Sequence, residues 1–270
     1  MSEQRQAPRV LIAGNPNAGK TTLFNALTDG RVRVGNYPGI TIEQRRATIA
    51  LDNGQTTRQI ELSDIPGTYS LLAHTGEEQI AMAALLGWQD HPKPDLAILC
   101  VDASQVTRGW YLVVQAQELG IPLIVALTMV DEAGQATPDP AALSAVSGCE
   151  VVTVSAPKGI GLDRLRAAIA RALDDGPERS SPIWRWSPTP DLQQRVTTVR
   201  AALPETWQHS DAVALWALMS IADNDELEAV DDDLRTAVAR AMTDAAPTAG
   251  DDAAAATDHP NDDSNGNDSD

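Results

Sequence analysis

The chain has 270 residues and a formal net charge of −18, a size that suits one α/β domain plus something smaller. Its acidity argues against a nucleic-acid phosphate backbone as partner. Cys100 and Cys149, the two cysteines, have no CxxC spacing and read as reduced packing residues, and the longest apolar runs (123–130 and 212–222) are too short to cross a bilayer. With no apolar stretch after the polar start, the expected setting is cytoplasmic.

Residues 1–8 are expected to form a flexible start, and 9–174 an α/β domain. An apolar run at 10–13 reads as a strand, and Gly14-Asn15-Pro16-Asn17-Ala18-Gly19-Lys20-Thr21 follows it, opening a helix over 19–28. Strand, glycine loop and helix in that order are what a phosphate-binding P-loop requires. The loop from Asn15 to Thr22, through its backbone N–H groups (all but Pro16) and with the helix N-terminus behind them, would cradle phosphates. Lys20 would reach the β- and γ-phosphates and the Thr21 hydroxyl would take one place on Mg²⁺.

Further strands are expected at 58–62, 96–101, 123–127 and 151–154, and helices at 77–86, 108–119 and 162–173. This alternation predicts a P-loop fold with a mostly parallel sheet wrapped by helices and its ligand loops at the strand C-termini. Four loop pieces lie in the order a GTPase needs. Thr41, in Asn36-Tyr37-Pro38-Gly39-Ile40-Thr41-Ile42, can offer its hydroxyl to Mg²⁺ and its N–H to a γ-phosphate. Asp64, in Asp64-Ile65-Pro66-Gly67, can hold Mg²⁺ through water, and Gly67 can donate its N–H to the γ-phosphate. Catalytic roles are therefore expected for Lys20, Thr41 and Gly67.

The third piece, Thr128-Met129-Val130-Asp131, departs from the usual Asn-Lys-x-Asp. The Asp131 carboxylate can accept from the N1–H and exocyclic amine of guanine, whereas adenine would leave it unpaired. Thr128 keeps a hydroxyl but lacks the amide fork, and Met129 replaces the lysine that normally lies over the base. The fourth piece, Ser155-Ala156, offers a backbone N–H to guanine O6. Together the pieces predict GTP and GDP as ligands.

Pro and Ser thicken over 175–190, which reads as a linker. A small helical domain is expected at 191–244, with helices at 191–202, 211–222 and 226–242. In the last, Leu227, Val230, Leu234, Val238 and Met242 recur at helical spacing as one apolar stripe. Trp184, Trp186, Trp207 and Trp216 concentrate in this region and read as core packing. Residues 245–270 are expected to be a disordered acidic tail, with seven aspartates after residue 250.

The run from Gly14 to Asn25, then Arg33-Val34-Gly35-Asn36-Tyr37-Pro38-Gly39-Ile40-Thr41-Ile42-Glu43, then Asp64-Ile65-Pro66-Gly67-Thr68-Tyr69-Ser70-Leu71 resemble the cytosolic part of the ferrous iron transport protein B family. Val101-Asp102-Ala103-Ser104, Leu119-Gly120-Ile121-Pro122 and Met129-Val130-Asp131 are similar to that family as well. The resemblance implies a GTPase domain, a following helical domain, and an iron-transporting membrane permease as partner. It also implies that Asn17 helps hold a potassium ion beside the phosphates. Thr68 stands where Ras-like proteins carry the glutamine that orients water, so turnover is expected to be slow and potassium-stimulated. His74, His91, His209 and His259 are scattered and suggest no ligand set for iron. Two other readings use the same motifs: a slow-turnover GTP/GDP-binding module that docks a partner protein, and a ribosome- or tRNA-associated GTPase. The second is disfavoured by the acidic balance and by the lack of a basic module after residue 173.

Overall fold

The computed structural model describes residues 7–37, 42–52, 57–72, 76–88, 91–176, 187–205, 207, 210–222, 227 and 230–243. Thr41, Trp184, Trp186, most of the expected linker and the acidic tail lie outside them. Seven strands form one sheet: β1 (Arg9–Gly14), β2 (Arg33–Asn36), β3 (Glu43–Asp52), β4 (Thr57–Asp64), β5 (Leu96–Asp102), β6 (Leu123–Thr128) and β7 (Val151–Thr153). Their order is β2-β3-β4-β1-β5-β6-β7. The pairs among β4, β1, β5, β6 and β7 are parallel, and β3 pairs antiparallel with both β2 and β4.

Alternation along the strands builds a core on each face of the sheet. Val10 and Ile12 of β1 point to one face, where they meet Leu23, Phe24 and Leu27 of α1 (Lys20–Thr28) and Leu165 and Ile169 of α6 (Leu162–Asp175). Leu11 and Ala13 point to the other, against α2 (Gly76–Leu86) and α3 (Val106–Glu118). Each fully buried Leu, Ile or Phe here contributes about 1.5–3 kcal/mol before conformational entropy is counted. Two shorter helices, α4 (Val130–Ala133) and α5 (Pro140–Ser147), join β6 to β7.

The five strands expected from apolar runs are present, while β2 and β3 are additions. Neither is an apolar run: β2 is exposed at every position, and β3 buries Ala47, Ile49 and Leu51 between exposed neighbours. The helix α5 was likewise unmarked, being a short Ala- and Ser-rich segment. It is started by Asp139, whose side chain accepts from the Ala141 N–H, and by Pro140 in its first turn.

Helices α7 (Pro190–Ala201), α8 (Asp211–Ser220) and α9 (Asp232–Thr243) follow. The third begins later than the spacing suggests. Asp231 Oδ1 accepts from the Leu234 N–H at 2.8 Å, an N-cap that sets the start. Leu227 and Val230 therefore precede the helix, although both are buried, and Met242 is 54 % exposed rather than part of the stripe. Among the described residues no helix is long and apolar enough to cross a membrane.

The sheet core and the three C-terminal helices share one apolar cluster. At its centre Trp88, just after α2, stacks on Trp207 with ring centroids 3.7 Å apart, and Trp216 of α8 meets Trp88 edge-on at 4.8 Å. Trp216 Nε1 donates to the Leu71 carbonyl at 2.8 Å, so the indole's polar atom is satisfied inside the cluster. Trp216→Phe would keep most of the packing but leave that carbonyl without its donor. The expected loss is about 1–3 kcal/mol of stability, read as a lower urea midpoint at unchanged slope.

Candidate nucleotide site

The site lies where β1, β4, β5 and β6 end together. Ile12 pairs with Asp64 across β1 and β4, and Asp102 with Thr128 across β5 and β6, so the parallel register puts four loops on one edge. The P-loop leaves β1 tightly against β5. A β-carbon on Gly14 (φ 141°) would stand 2.4 Å from the Cys100 carbonyl oxygen, so only glycine fits. Cys100 itself is fully buried beneath the loop, and burial pushes its thiol up to about 12. It packs in the core on the α1 face of the sheet.

Within the loop, the Asn15 carbonyl accepts from the Ala18 N–H at 3.2 Å and from Lys20 Nζ at 2.8 Å. Gly19 (φ 78°) turns the chain into α1, and Asn17 (φ 62°) sits exposed on the rim in the left-handed conformation. Thr22 is also exposed. Lys20 is buried, and desolvation lowers its pKa while Asp64 and Glu77 partly offset that effect. A buried ammonium beside a helix N-terminus suits a polyphosphate.

Asp64 ends β4 next to that ammonium. Thr21 Oγ1 donates to Asp64 Oδ2 at 2.8 Å, while Asp64 Oδ1 is buried with no hydrogen-bond partner among the described residues. Burial raises the carboxyl pKa, against the opposing hydrogen bond from Thr21 and the charge of Lys20. An unpartnered buried carboxylate oxygen beside a hydroxyl fits a hard cation such as Mg²⁺. Gly67 lies so near that a β-carbon on it would stand 2.7 Å from Lys20 Nζ and 2.9 Å from Pro16 N. Thr68 follows, buried; its N–H donates to the Gly14 carbonyl at 3.2 Å and its hydroxyl is engaged with the Ser70 carbonyl.

The base side differs from the sequence expectation in two details. Thr128 is buried and its hydroxyl faces the Ala18 and Val101 carbonyls at 2.9 and 3.1 Å, so it ties β6 to the P-loop instead of offering itself to a base. The Ser155 N–H donates to the Ile160 carbonyl at 3.0 Å, so of the Ser155-Ala156 pair the Ser155 N–H is already engaged. Asp131 is half-buried in the first turn of α4. Its carboxyl is held below the ordinary value, chiefly by the nearby Ser155 hydroxyl, with Lys158 adding charge. Lys158 was not singled out from the sequence. It sits three residues beyond Ser155 in a glycine-bounded loop, and that proximity to the motif is the only signal it carries.

A sheet of this order, with a P-loop after β1, an Asp-x-x-Gly after β4 and a Thr-Met-x-Asp after β6, defines a P-loop GTPase domain that binds guanine nucleotides. The family model for ferrous iron transport protein B matches residues 8–169, and the chain belongs to that family. The Fe(2+) transporter FeoB of Salmonella typhimurium is 45 % identical over 166 residues, 59 % of this chain and 20 % of that protein. The cytosolic domain of L. pneumophila FeoB aligns at 31 % identity with a TM-score of 0.65, covering 87 % of this chain and 97 % of that one. A GDP-bound mutant of the S. thermophilus FeoB G-domain aligns at 26 % identity with a TM-score of 0.66, covering 87 % of both chains. The chain spans about one fifth of the length of the curated relatives it matches.

Gly67→Ala tests the approach of the Asp64–Gly67 segment to the P-loop. Lys20 Nζ can give way to the added methyl, but the Pro16 backbone cannot. GDP has no γ-phosphate, so its affinity should stay within about threefold, while phosphate release from GTP falls on the order of a hundredfold, the scale of one lost transition-state donor. Equilibrium titration and single-turnover release measure the two effects.

Proposed function

We propose that this chain is the GTP-hydrolysing switch that regulates ferrous iron uptake through a membrane permease partner, working at the cytoplasmic face of the membrane. The observation that carries this reading is the convergence of Lys20, the Thr21–Asp64 pair and Gly67 with Asp131 and Ala156 on one sheet edge. Family membership supplies the pathway. Lys20 and the P-loop N–H groups bind the β- and γ-phosphates, and Gly67 and Thr41 take up the γ-phosphate. Thr21, Thr41 and Asp64 would hold Mg²⁺, which would supply positive charge at the phosphates. Asp131 chooses guanine, and the Met129 side chain covers the loop beside it.

Hydrolysis proceeds slowly in this reading, because Thr68 stands in the place of a water-orienting glutamine and its hydroxyl is engaged with the Ser70 carbonyl. Asn17, exposed on the rim, is the residue that would hold K⁺ near the transferring phosphate, where added positive charge stabilises the transition state. The same engagement of Thr68 favours the second reading, a binding module that holds GTP or GDP and docks a partner without appreciable turnover. Neither reading involves nucleic acid.

Two experiments test the proposal. Asp131→Asn should move preference from GTP to xanthosine triphosphate, whose C2 carbonyl accepts from the new amide; competition with labelled nucleotides measures it, and unchanged GTP preference would overturn the base assignment. Phosphate release should be faster in potassium chloride than in sodium chloride at matched ionic strength, and Asn17→Ala should remove most of the difference while GDP binding persists. Equal wild-type rates in the two salts would leave the binding module as the better account.

A further inference from the structure

The base-side motif has lost a cation. Where the usual Asn-Lys-x-Asp places a lysine, this chain has Met129. The apolar part of that lysine's task is retained: Met129 Cε lies 3.6 Å from the position a β-carbon on Gly19 would occupy, so the thioether end covers the P-loop. Only the charge is missing from its ordinary place.

A charge reaches the same corner from the opposite side. Lys158 Nζ lies 3.5 Å from Asp131 Oδ2, with the lysine side chain 59 % exposed and the aspartate's 16 %. The loop that carries it is braced. Ser155 and Ile160 exchange two backbone hydrogen bonds of 3.0 Å across its base, and the Lys158 N–H donates to the Ser155 carbonyl at 3.2 Å. Gly161 (φ 78°) closes it where a β-carbon would stand 2.0 Å from the Thr153 carbonyl oxygen. The backbone under Lys158 is therefore fixed relative to β7, and β7 relative to β6 and Asp131.

An ionised carboxylate has about four lone-pair positions on its two oxygens. Guanine's imino and amino groups use one position on each oxygen, which requires the carboxylate plane to be held edge-on to the base. Lys158, the more exposed member of the pair, lies 3.5 Å from Oδ2 and so engages one oxygen of the carboxylate. That contact leaves Oδ1 and the other position on Oδ2 for two further donors.

We propose that Lys158 is the positioning cation of the base pocket: it stands in for the lysine that Met129 replaces and fixes the Asp131 carboxylate so that each oxygen meets one guanine donor. The inference rests on the guanine reading of Asp131. Lys158 pairs with Asp131, the proposed reader of the base, so its effect belongs to base recognition.

The test compares GDP, inosine diphosphate and ADP by calorimetric titration on the full chain. Inosine lacks the 2-amino group and uses one carboxylate oxygen, so it depends less on how the carboxylate is turned. Lys158→Met should weaken GDP about three- to tenfold and inosine diphosphate less than about twofold, in keeping with a partly exposed ion pair acting on a covered carboxylate. Lys158→Arg should keep GDP affinity within about twofold of wild type, and neither variant should shift the thermal midpoint. Wild-type GDP affinity in Lys158→Met, tighter GDP binding, or equal losses for GDP and inosine diphosphate would each overturn the positioning role. If the wild-type protein fails to prefer GDP over ADP, the guanine reading itself falls, and this outcome is distinct from a silent Lys158 variant in a protein that does prefer GDP.

Discussion

The buried ammonium of Lys20 is the interaction around which the site is arranged. It is withdrawn from water at the start of α1, and the protein supplies it with one carbonyl at 2.8 Å and the nearby charge of Asp64. Burial lowers its pKa in spite of that help. A phosphate would supply further negative charge, and Asp64, with one oxygen unpartnered among the described residues, is the matching deficit for a metal. Two opposite charges, each short of partners and held near one another by the β1–β4 register, form a site whose best state includes ligands.

The segment after Asp64 links this site to the rest of the molecule. Thr68 donates to the P-loop through its backbone, and three residues later Leu71 is held at both polar atoms. Its N–H donates to Gln115 Oε1 of α3 at 3.0 Å, and its carbonyl accepts from Trp216 of α8 at 2.8 Å. A chain path of a few residues thus runs from the phosphate side of the sheet to the C-terminal helices. Since Trp216 also packs on Trp88 and Trp207, any shift of Leu71 must be matched by the tryptophan cluster. The helical part is not an appendage on a loose tether: its core is continuous with that of the sheet.

On the base side, the tasks of the usual Asn-Lys pair fall to several residues here. Met129 keeps the apolar cover, Thr128 braces the P-loop through its hydroxyl, and Lys158 brings charge from another loop. The division shows why a motif written as four consecutive letters is only partly informative. Asp131 of α4 and Lys158 of the loop after β7 meet only in the folded chain.

How much of this was legible in the sequence depends on how far each feature reaches along the chain. The P-loop, the Asp64–Gly67 turn, the apolar strands and the order of the elements follow from local spacing, because backbone geometry and side-chain periodicity act over a few residues. The strands β2 and β3 were not legible, since an edge strand and a half-buried one bury too little to form an apolar run. The start of α9 at Asp232 was obscured because Leu227 and Val230 are buried by tertiary packing while matching a helical repeat by coincidence. Sequence alone determined the class of nucleotide site, which needs only the right groups at the ends of the right strands. The tertiary structure decided which polar atoms remain available. Thr128 and Thr68 have their hydroxyls turned to carbonyls, Ser155 has its N–H engaged, and Lys158 lies beside Asp131, because hydrogen bonds and ion pairs depend on distances that only the packed sheet sets.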